Sequence, residues 1–339
     1  MITTGTHHDG HPTASVGILG TGSCLPSQVV TNDEAGHPAG VDDAWIHSRT
    51  GIRTRRWAKP DEATSDLAVA AGRAALENAG IRAAQLSLVI VATSTPDAPQ
   101  PPTASAVADG LGAGPGTAAF DVNAVCSGFV FALTAAERML RGTGGYAVVV
   151  GADIYSRILD RADRRTAILF GDGAGAVVLG PAAGGRSAGI TSRLAGFGAE
   201  RDLIQVPAGG SRLPASADTL REGLHYFRMN GRAVREFVAD QVAPAIAQFL
   251  ADQGVDPRDI DHFVPHQANG RMLQDLAERI GIPAGRMRTT VETYGNTGSA
   301  SIPVTLDDAA RRGGIRPGDR VLLAGFGGGM AMGLALLTR

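Results

Sequence analysis

The sequence predicts an α/β fold made of two similar halves, and three observations carry that reading. Stretches with apolar residues at helical spacing alternate with continuous β-rich runs such as LSLVIVATS (86–94) and YAVVVGAD (146–153). Continuous runs of this kind fit strands buried on both faces of a mostly parallel sheet. A helix–glycine–strand unit also occurs twice. ALENAG-IRAAQLSLVIVAT turns at Gly80 and FLADQG-VDPRDIDHFVPHQ turns at Gly254, an offset of 174 residues (254 − 80). That offset aligns Ile81 with Val255, Leu86 with Ile260 and Ile90 with Val264. Finally, 339 residues with 44% apolar and 19% charged side chains are enough to bury a large core.

Taken in order, residues 1–15 are polar and aperiodic and read as a mobile tail. His7, His8 and His11 belong to that tail and read as tail rather than as a metal site. Order is expected from Val16. Residues 64–79 have helical spacing, with Thr64 or Ser65 as the cap and Gly80 as the stop. Strands are expected at 86–94, 118–125, 146–153 and 167–180, with a helix at 127–142. A second match pairs LFGDGAGAVV with LAGFGGGMAM, setting Gly171, Gly173 and Gly175 against Gly325, Gly327 and Gly329 at an offset of 154 (325 − 171). The Gly/Ala/Pro-rich stretch 180–189 is the natural boundary, giving halves at 16–183 and 184–339.

Composition excludes several classes. A net charge of −2 gives no basic surface for nucleic acid. No apolar run approaches the roughly 18–20 residues that span a bilayer, and the N-terminus lacks a signal-peptide pattern. Two cysteines, Cys24 and Cys126, do not make a disulfide framework. The expectation is a cytoplasmic protein with reduced thiols.

Chemistry-bearing residues cluster at strand ends. Cys126 lies between a buried strand and a helix, where the helix dipole and unpaired N–H groups favour thiolate; a buried small hydrophobe is the equal alternative from local sequence. Cys24, in GTGSCLPS, reads as structural. His266 follows the strand IDHFV directly, as active-site residues of open α/β sheets do, or else is a histidine satisfied by backbone. His262 reads as structural. Asn296, in TYGNTGSASIP, reads first as a turn and second as an amide projecting into a cleft. The glycines of GFGGGM (325–330) lack the spacing of a dinucleotide site and suit backbone N–H groups close to a ligand. Asp172 reads as fixing the turn in GDGAG.

Together the stretches GTGSCLPSQVVTN, WIHSRTGIRTRR, DVNAVCSGF, DRRTAILFGDGAGAVVL, VPHQANGRM, YGNTGSASIP and GFGGGMAMG resemble the type III β-ketoacyl-acyl-carrier-protein synthases. They span residues 16–339. The resemblance implies a thiolase fold, two duplicated halves in a five-layered αβαβα sandwich, assembled as a homodimer. It implies an enzyme, an acyltransferase of the ketosynthase type. Cys126 would take an acyl group from an acyl-CoA. His266 and Asn296 would hold a malonyl-acyl-carrier-protein thioester as CO2 leaves. The backbone N–H groups of Cys126 and Gly328 would form the oxyanion hole. Trp45, Arg49, Arg164 and Asn269 match coenzyme A contacts. Arg232, Arg235 and Arg271 match a patch for an acidic carrier protein. The coenzyme A thioester is a substrate, and neither metal nor redox cofactor is implied. Two departures stand out: Gln100 replaces a bulky apolar acyl-pocket residue, and EAGHPAGV (34–41) contains helix breakers. Both point towards a starter unit of a specialised polyketide or fatty-acid pathway. The alternative is an acyltransferase of the same fold that moves an acyl group to a hydroxyl, amine or carrier thiol without condensation.

Overall fold

The computed structural model describes residues 15–182, 189–316 and 318–338. Its strands are β1 (Val16–Cys24), β2 (Gln28–Thr31), β3 (Thr54–Trp57), β4 (Leu86–Ala92), β5 (Ala118–Val122), β6 (Tyr146–Asp153), β7 (Gly173–Pro181), β8 (Gly189–Gly196), β9 (Ile204–Gln205), β10 (Arg228–Met229), β11 (His262–Pro265), β12 (Arg320–Gly327) and β13 (Ala331–Thr338). Its helices are α1 (Asn32–Gly36), α2 (Asp43–Thr50), α3 (Thr64–Ala79), α4 (Thr103–Leu111), α5 (Gly128–Thr143), α6 (Ala217–Arg221), α7 (Gly231–Phe237), α8 (Ala243–Asp252), α9 (Gly270–Ile280), α10 (Val291–Tyr294) and α11 (Ser301–Arg311).

Two sheets organise the chain. The first runs β1-β7-β6-β4-β5 and the second β8-β13-β12-β11. In each, the inner crossover pair is parallel (β4 with β6, β11 with β12) and the return strands are antiparallel. Helices α5 and α11 pack between the two sheets. Phe129, Leu133, Ile302 and Leu306 close the central core there with Ile90, Val149, Val177, Leu323 and Ala335. Helices α3 and α4 cover the outer face of the first sheet, with Leu67, Ala71, Ala75 and Val107 against Val89, Val148 and Val178. Helices α8 and α9 cover the second, with Ile246, Phe249 and Leu273 against Phe263, Leu322 and Leu334. The result is the five-layered αβαβα sandwich of the thiolase fold.

The duplication is visible in local detail. Gly80 and Gly254 both turn with φ of +66°, the left-handed helix stop that glycine adopts without steric cost. Each is followed by a single 3-10 turn, Ala83–Gln85 and Pro257–Asp259, at the same offset of 174 (257 − 83). The second sequence match is corrected. The strand equivalent to β7 is β13, at an offset of 158 (331 − 173), so Gly325 and Gly327 lie at the end of β12 rather than opposite Gly171 and Gly173. The proposed boundary at 183/184, like residues 1–14 with their histidines, falls outside the described residues.

Three local expectations also change. Helix α3 is capped at Ala63 by the returning Asp66 carboxylate, while Thr64 donates instead to the Thr95 carbonyl. The strand expected at 118–125 stops at Val122, because Val125–Ser127 forms a 3-10 turn. The strand expected at 167–180 begins only at Gly173; residues 167–172 are a turn instead. Asp172 ties that turn down by accepting from the backbone N–H groups of Ala58 and Ser156 and from the Ser156 hydroxyl.

Candidate active site

Cys126 sits in the 3-10 turn that leads into α5 and is 4% exposed. The turn is tight: Val125 has φ of +46°, a conformation that is costly for a β-branched residue. What over-determines it is the end of β12. A Cβ on Gly327 would lie 2.6 Å from the Cys126 Cβ and 2.9 Å from its sulfur, and one on Gly328 would lie 2.8 Å from a Val125 methyl. Only glycines let the backbone come this close. The backbone N–H groups of Gly328 and of Cys126 itself both converge on the cysteine sulfur. Burial pushes the thiol up to about 12, with the Asp153 carboxylate adding to the rise against the pull of those N–H groups and of the Tyr155 hydroxyl. Of the two alternatives the sequence left open, burial is the stronger influence on the resting thiol: α5 begins at Gly128, two residues on, but desolvation outweighs the pull of its dipole.

His266 directly follows β11, where its N–H donates to the Ala324 carbonyl of the neighbouring strand. Its ring is 2% exposed and stands edge-on to Phe326, 5.6 Å between centroids. Burial lowers its pKa to about 3, so the imidazole is neutral. Nδ1 lies 2.7 Å from the Ser301 hydroxyl, at the start of α11. Asn296 is held by the turn at 167–172. Its N–H donates to the Leu169 carbonyl, its carbonyl accepts from Gly171, and Phe170 bridges to it as in a parallel ladder. The Asn296 side-chain oxygen accepts from Gly298 N–H, which leaves the two amide hydrogens to face a ligand.

These three residues converge from both halves. Phe326, against His266, adjoins the Gly327 on which Cys126 rests. Phe170, beside Asn296, stacks on Tyr155 at 4.5 Å, and Tyr155 shares a hydrogen bond with Cys126. Asn296 also lines a cavity of about 600 Å3 that opens between α2, α7 and α9. Trp45, Arg49, Arg164, Asn269, Arg235 and Arg271 line the same cavity. The Arg49 guanidinium lies 4.2 Å from the Trp45 ring centre and that of Arg164 lies 5.7 Å away, so one flat face is flanked by two cations.

Other expected residues are placed differently. Asn269 spends its side chain capping α9 and donating to the Arg49 carbonyl, so its first task is structural. Arg232 lines an adjoining cleft and pairs with Glu236 at 2.9 Å. Gln100 is exposed in the loop before α4 and is not among the residues lining the cavity within one chain. Cys24 ends β1, with its thiol pushed up by burial, and His262 is held between Asp319 and Arg288. Sequence reasoning missed Tyr155, Asp153, Ser301 and Phe326. The signal for Asp153 was present: an acid closing an otherwise apolar strand.

Comparison with known proteins shows the family of the chain. A family model described as 3-oxoacyl-[acyl-carrier-protein] synthase III matches residues 120–196, and its C-terminal counterpart matches residues 250–339. The chain is 60% identical to acetoacetyl CoA synthase NphT7 of Streptomyces sp. strain CL190, over 94% of this chain and 97% of that protein. It is 43% identical to the β-ketoacyl-[acyl-carrier-protein] synthase III of Roseiflexus sp. strain RS-1, over the same shares of the two chains. The chain belongs to the 3-oxoacyl-acyl-carrier-protein synthase III family. Among solved structures, the 3-oxoacyl-[acyl-carrier-protein] synthase III of Aquifex aeolicus superposes with a TM-score of 0.87 at 35% identity, covering 96% of this chain and all of that one. The priming β-ketosynthase from the R1128 polyketide pathway superposes with a TM-score of 0.87 at 34% identity, covering 98% and 99%. No helix among the described residues is long and apolar enough to cross a membrane.

Proposed function

We propose that the protein is a cytoplasmic, homodimeric ketosynthase that acylates itself from an acyl-CoA on Cys126 and condenses that group with a malonyl thioester, releasing CO2. The observation that supports this most is the convergence of the Cys126 and Gly328 N–H groups on the reactive sulfur. Donors already aimed at the thioester carbon's neighbourhood would stabilise the oxyanion as it forms, without reorganisation. In the first half-reaction the Cys126 thiol loses its proton and attacks the thioester carbonyl, and coenzyme A leaves and takes up a proton as the free thiol. In the second, the malonyl carboxylate departs as CO2 and its electron pair forms an enolate. The enolate attacks the acyl carbon, and the Cys126 thiolate is expelled and reprotonated.

A neutral His266 suits the enolate step, since negative charge appears there only in the transition state. Its Nε2 must carry the hydrogen to donate, which requires Ser301 to donate to Nδ1. The free amide hydrogens of Asn296 are the second donor. The coenzyme A would lie along Trp45, Arg49 and Arg164, and no step calls for a metal or redox cofactor.

The rim of the cavity suits either coenzyme A or a carrier protein as bearer of the malonyl group: Arg49, Arg164, Arg235 and Arg271 outnumber Asp275 there, and a basic rim matches coenzyme A phosphates and an acidic carrier protein alike. The 60% relative named acetoacetyl CoA synthase supports coenzyme A over a carrier protein. Its name also supports an acetyl starter, against the expectation of an unusual one. Tyr155, Phe170 and Phe227 crowd the space beside Cys126 and suit a small acyl group.

The test is intact-protein mass spectrometry after incubation with a panel of acyl-CoAs, then with malonyl-CoA or malonyl carrier protein. The expected result is a small acyl mass on Cys126, lost as a β-ketoacyl thioester with CO2, faster with malonyl-CoA. Cys126→Ala removes the adduct. His266→Ala and Asn296→Ala keep it but stop CO2 release. An acyl group that leaves only as an ester, amide or unextended thioester makes the protein an acyltransferase instead.

A further inference from the structure

A buried polar chain runs away from Cys126 that the two half-reactions above do not use. Tyr155 is 1% exposed and its hydroxyl shares a hydrogen bond with the Cys126 side chain. The same hydroxyl lies 2.8 Å from the Ser94 Oγ. Ser94 donates from both its N–H (2.9 Å) and its hydroxyl (3.0 Å) to one carboxylate oxygen of Asp153. That oxygen also accepts from the hydroxyls of Thr93 and Thr95, and its twin accepts from the Ser299 N–H and hydroxyl. Burial raises the Asp153 pKa, but each of these neighbours points a donor at its oxygens, and the Ser94 hydrogen is committed to it.

We propose that the Tyr155 hydroxyl is a further residue of the reaction, which orients the Cys126 sulfur and donates to it as a thiolate, and that Ser94, anchored on Asp153, sets the resting direction of that hydroxyl. The argument is one of hydrogen counting. A tyrosine hydroxyl has a single hydrogen. Because the Ser94 hydrogen points at Asp153, the Ser94 oxygen accepts, and the resting Tyr155 hydrogen goes to Ser94. The Tyr155 oxygen then turns its lone pairs to Cys126 and accepts the S–H, which fixes the thiol in one direction. When the sulfur carries negative charge, before it attacks and again when it is expelled, the Tyr155 hydrogen swings to it and makes a charge-assisted bond. Ser94 competes for that hydrogen throughout.

The idea rests on Cys126 being the acylated nucleophile. The titratable groups around the chain are Asp153 on β6, Tyr155 just beyond it, Cys126, and His266, just after β11 and behind Phe326. The packed segments Gly298–Ala300, Gly327–Met330 and Gly128–Val130 carry none, and Asp172 is committed to Ala58 and Ser156.

The experiment is iodoacetamide alkylation of the folded protein, with Cys126 followed by peptide mapping across neutral to mildly alkaline pH. Tyr155→Phe keeps the ring stacked on Phe170 and edge-on to Phe227 and removes only the hydroxyl. Its rate-against-pH line should be displaced to higher pH, with alkylation at a given pH slowed about ten-fold, the scale of one charge-assisted hydrogen bond. Ser94→Ala removes the competitor and should displace the line the other way. A purely structural role moves neither line. Superposition of Tyr155→Phe on the parent, or displacement of both variants in the same direction, overturns the proposal. The readout needs no acyl-CoA. A parent protein that no acyl-CoA loads refutes the ketosynthase reading, and the alkylation lines still report on Tyr155.

Discussion

Gly327 differs from alanine by one methyl group, and the space for that methyl is already occupied by Cys126, 2.6 Å away at Cβ. Gly327→Ala should therefore push the thiol turn aside. The expected outcome is loss of acyl loading together with about 1–3 kcal/mol of stability, read from urea midpoints. Gly329→Ala is the control: its φ is +70° but nothing lies within 4 Å. It should cost about 1 kcal/mol and keep loading. Equal loading in both variants would refute the crowding argument. This close approach was half legible in the sequence. Five glycines in the nine residues from Gly325 to Gly333 announce neither a partner nor a direction, and only the fold brings Cys126 to them. Cys126, His266 and Asn296 stand out in the sequence because each closes a recognisable strand or loop. Tyr155 does not, because an aromatic residue after an apolar strand reads as core. Its meaning lies in a hydroxyl that meets residues far from it in the chain.

The turn at 167–172 shows the same limit for an element. Its residues AILFGD read as strand because Ile168, Leu169 and Phe170 are apolar. They are apolar because the turn is buried, and it bends because Asp172 fastens it to Ala58 and Ser156. Burial raises the Asp172 pKa from 3.8 to about 6. A raised carboxylate pKa means that the folded state binds the proton more tightly. The stabilisation is fully present below about 3.8 and is lost as pH rises through about 6. Two units correspond to about 3 kcal/mol. Asp172→Asn should flatten the dependence of unfolding free energy on pH over that window relative to the parent. Parallel profiles would show that Asp172 titrates normally. Since this turn also carries the bonds that hold the Asn296 backbone, a variant that loosens it should weaken CO2 release before it weakens acyl loading.

For the whole molecule, the duplicated architecture was readable from one well-aligned unit, the helix–glycine–strand passage at Gly80 and Gly254. The second match misled because glycines recur for different reasons, at a turn in one half and at a close approach in the other. The sheets also leave β5 with one outer edge unpaired among the described residues. Residues Ala118–Val122 there are mostly apolar, and such an edge is a template for a second copy. Ala119→Lys should convert the proposed homodimer to a monomer by light scattering. A parent protein that is already monomeric removes the dimer from the proposal, and with it a role for the exposed Gln100 in a shared acyl pocket.

The backbone that shelters Cys126 is made late. Gly327 leaves the ribosome 201 residues after the cysteine (327 − 126). Until it docks, the sulfur has neither the burial that suppresses its ionisation nor the Gly328 N–H that helps to aim it. The young chain therefore carries an ordinary thiol, open to peroxide and alkylating metabolites, while the finished enzyme carries a guarded one. Oxidative stress should then inactivate this protein mainly during its synthesis, and a pulse of oxidant given after synthesis has stopped should spare it.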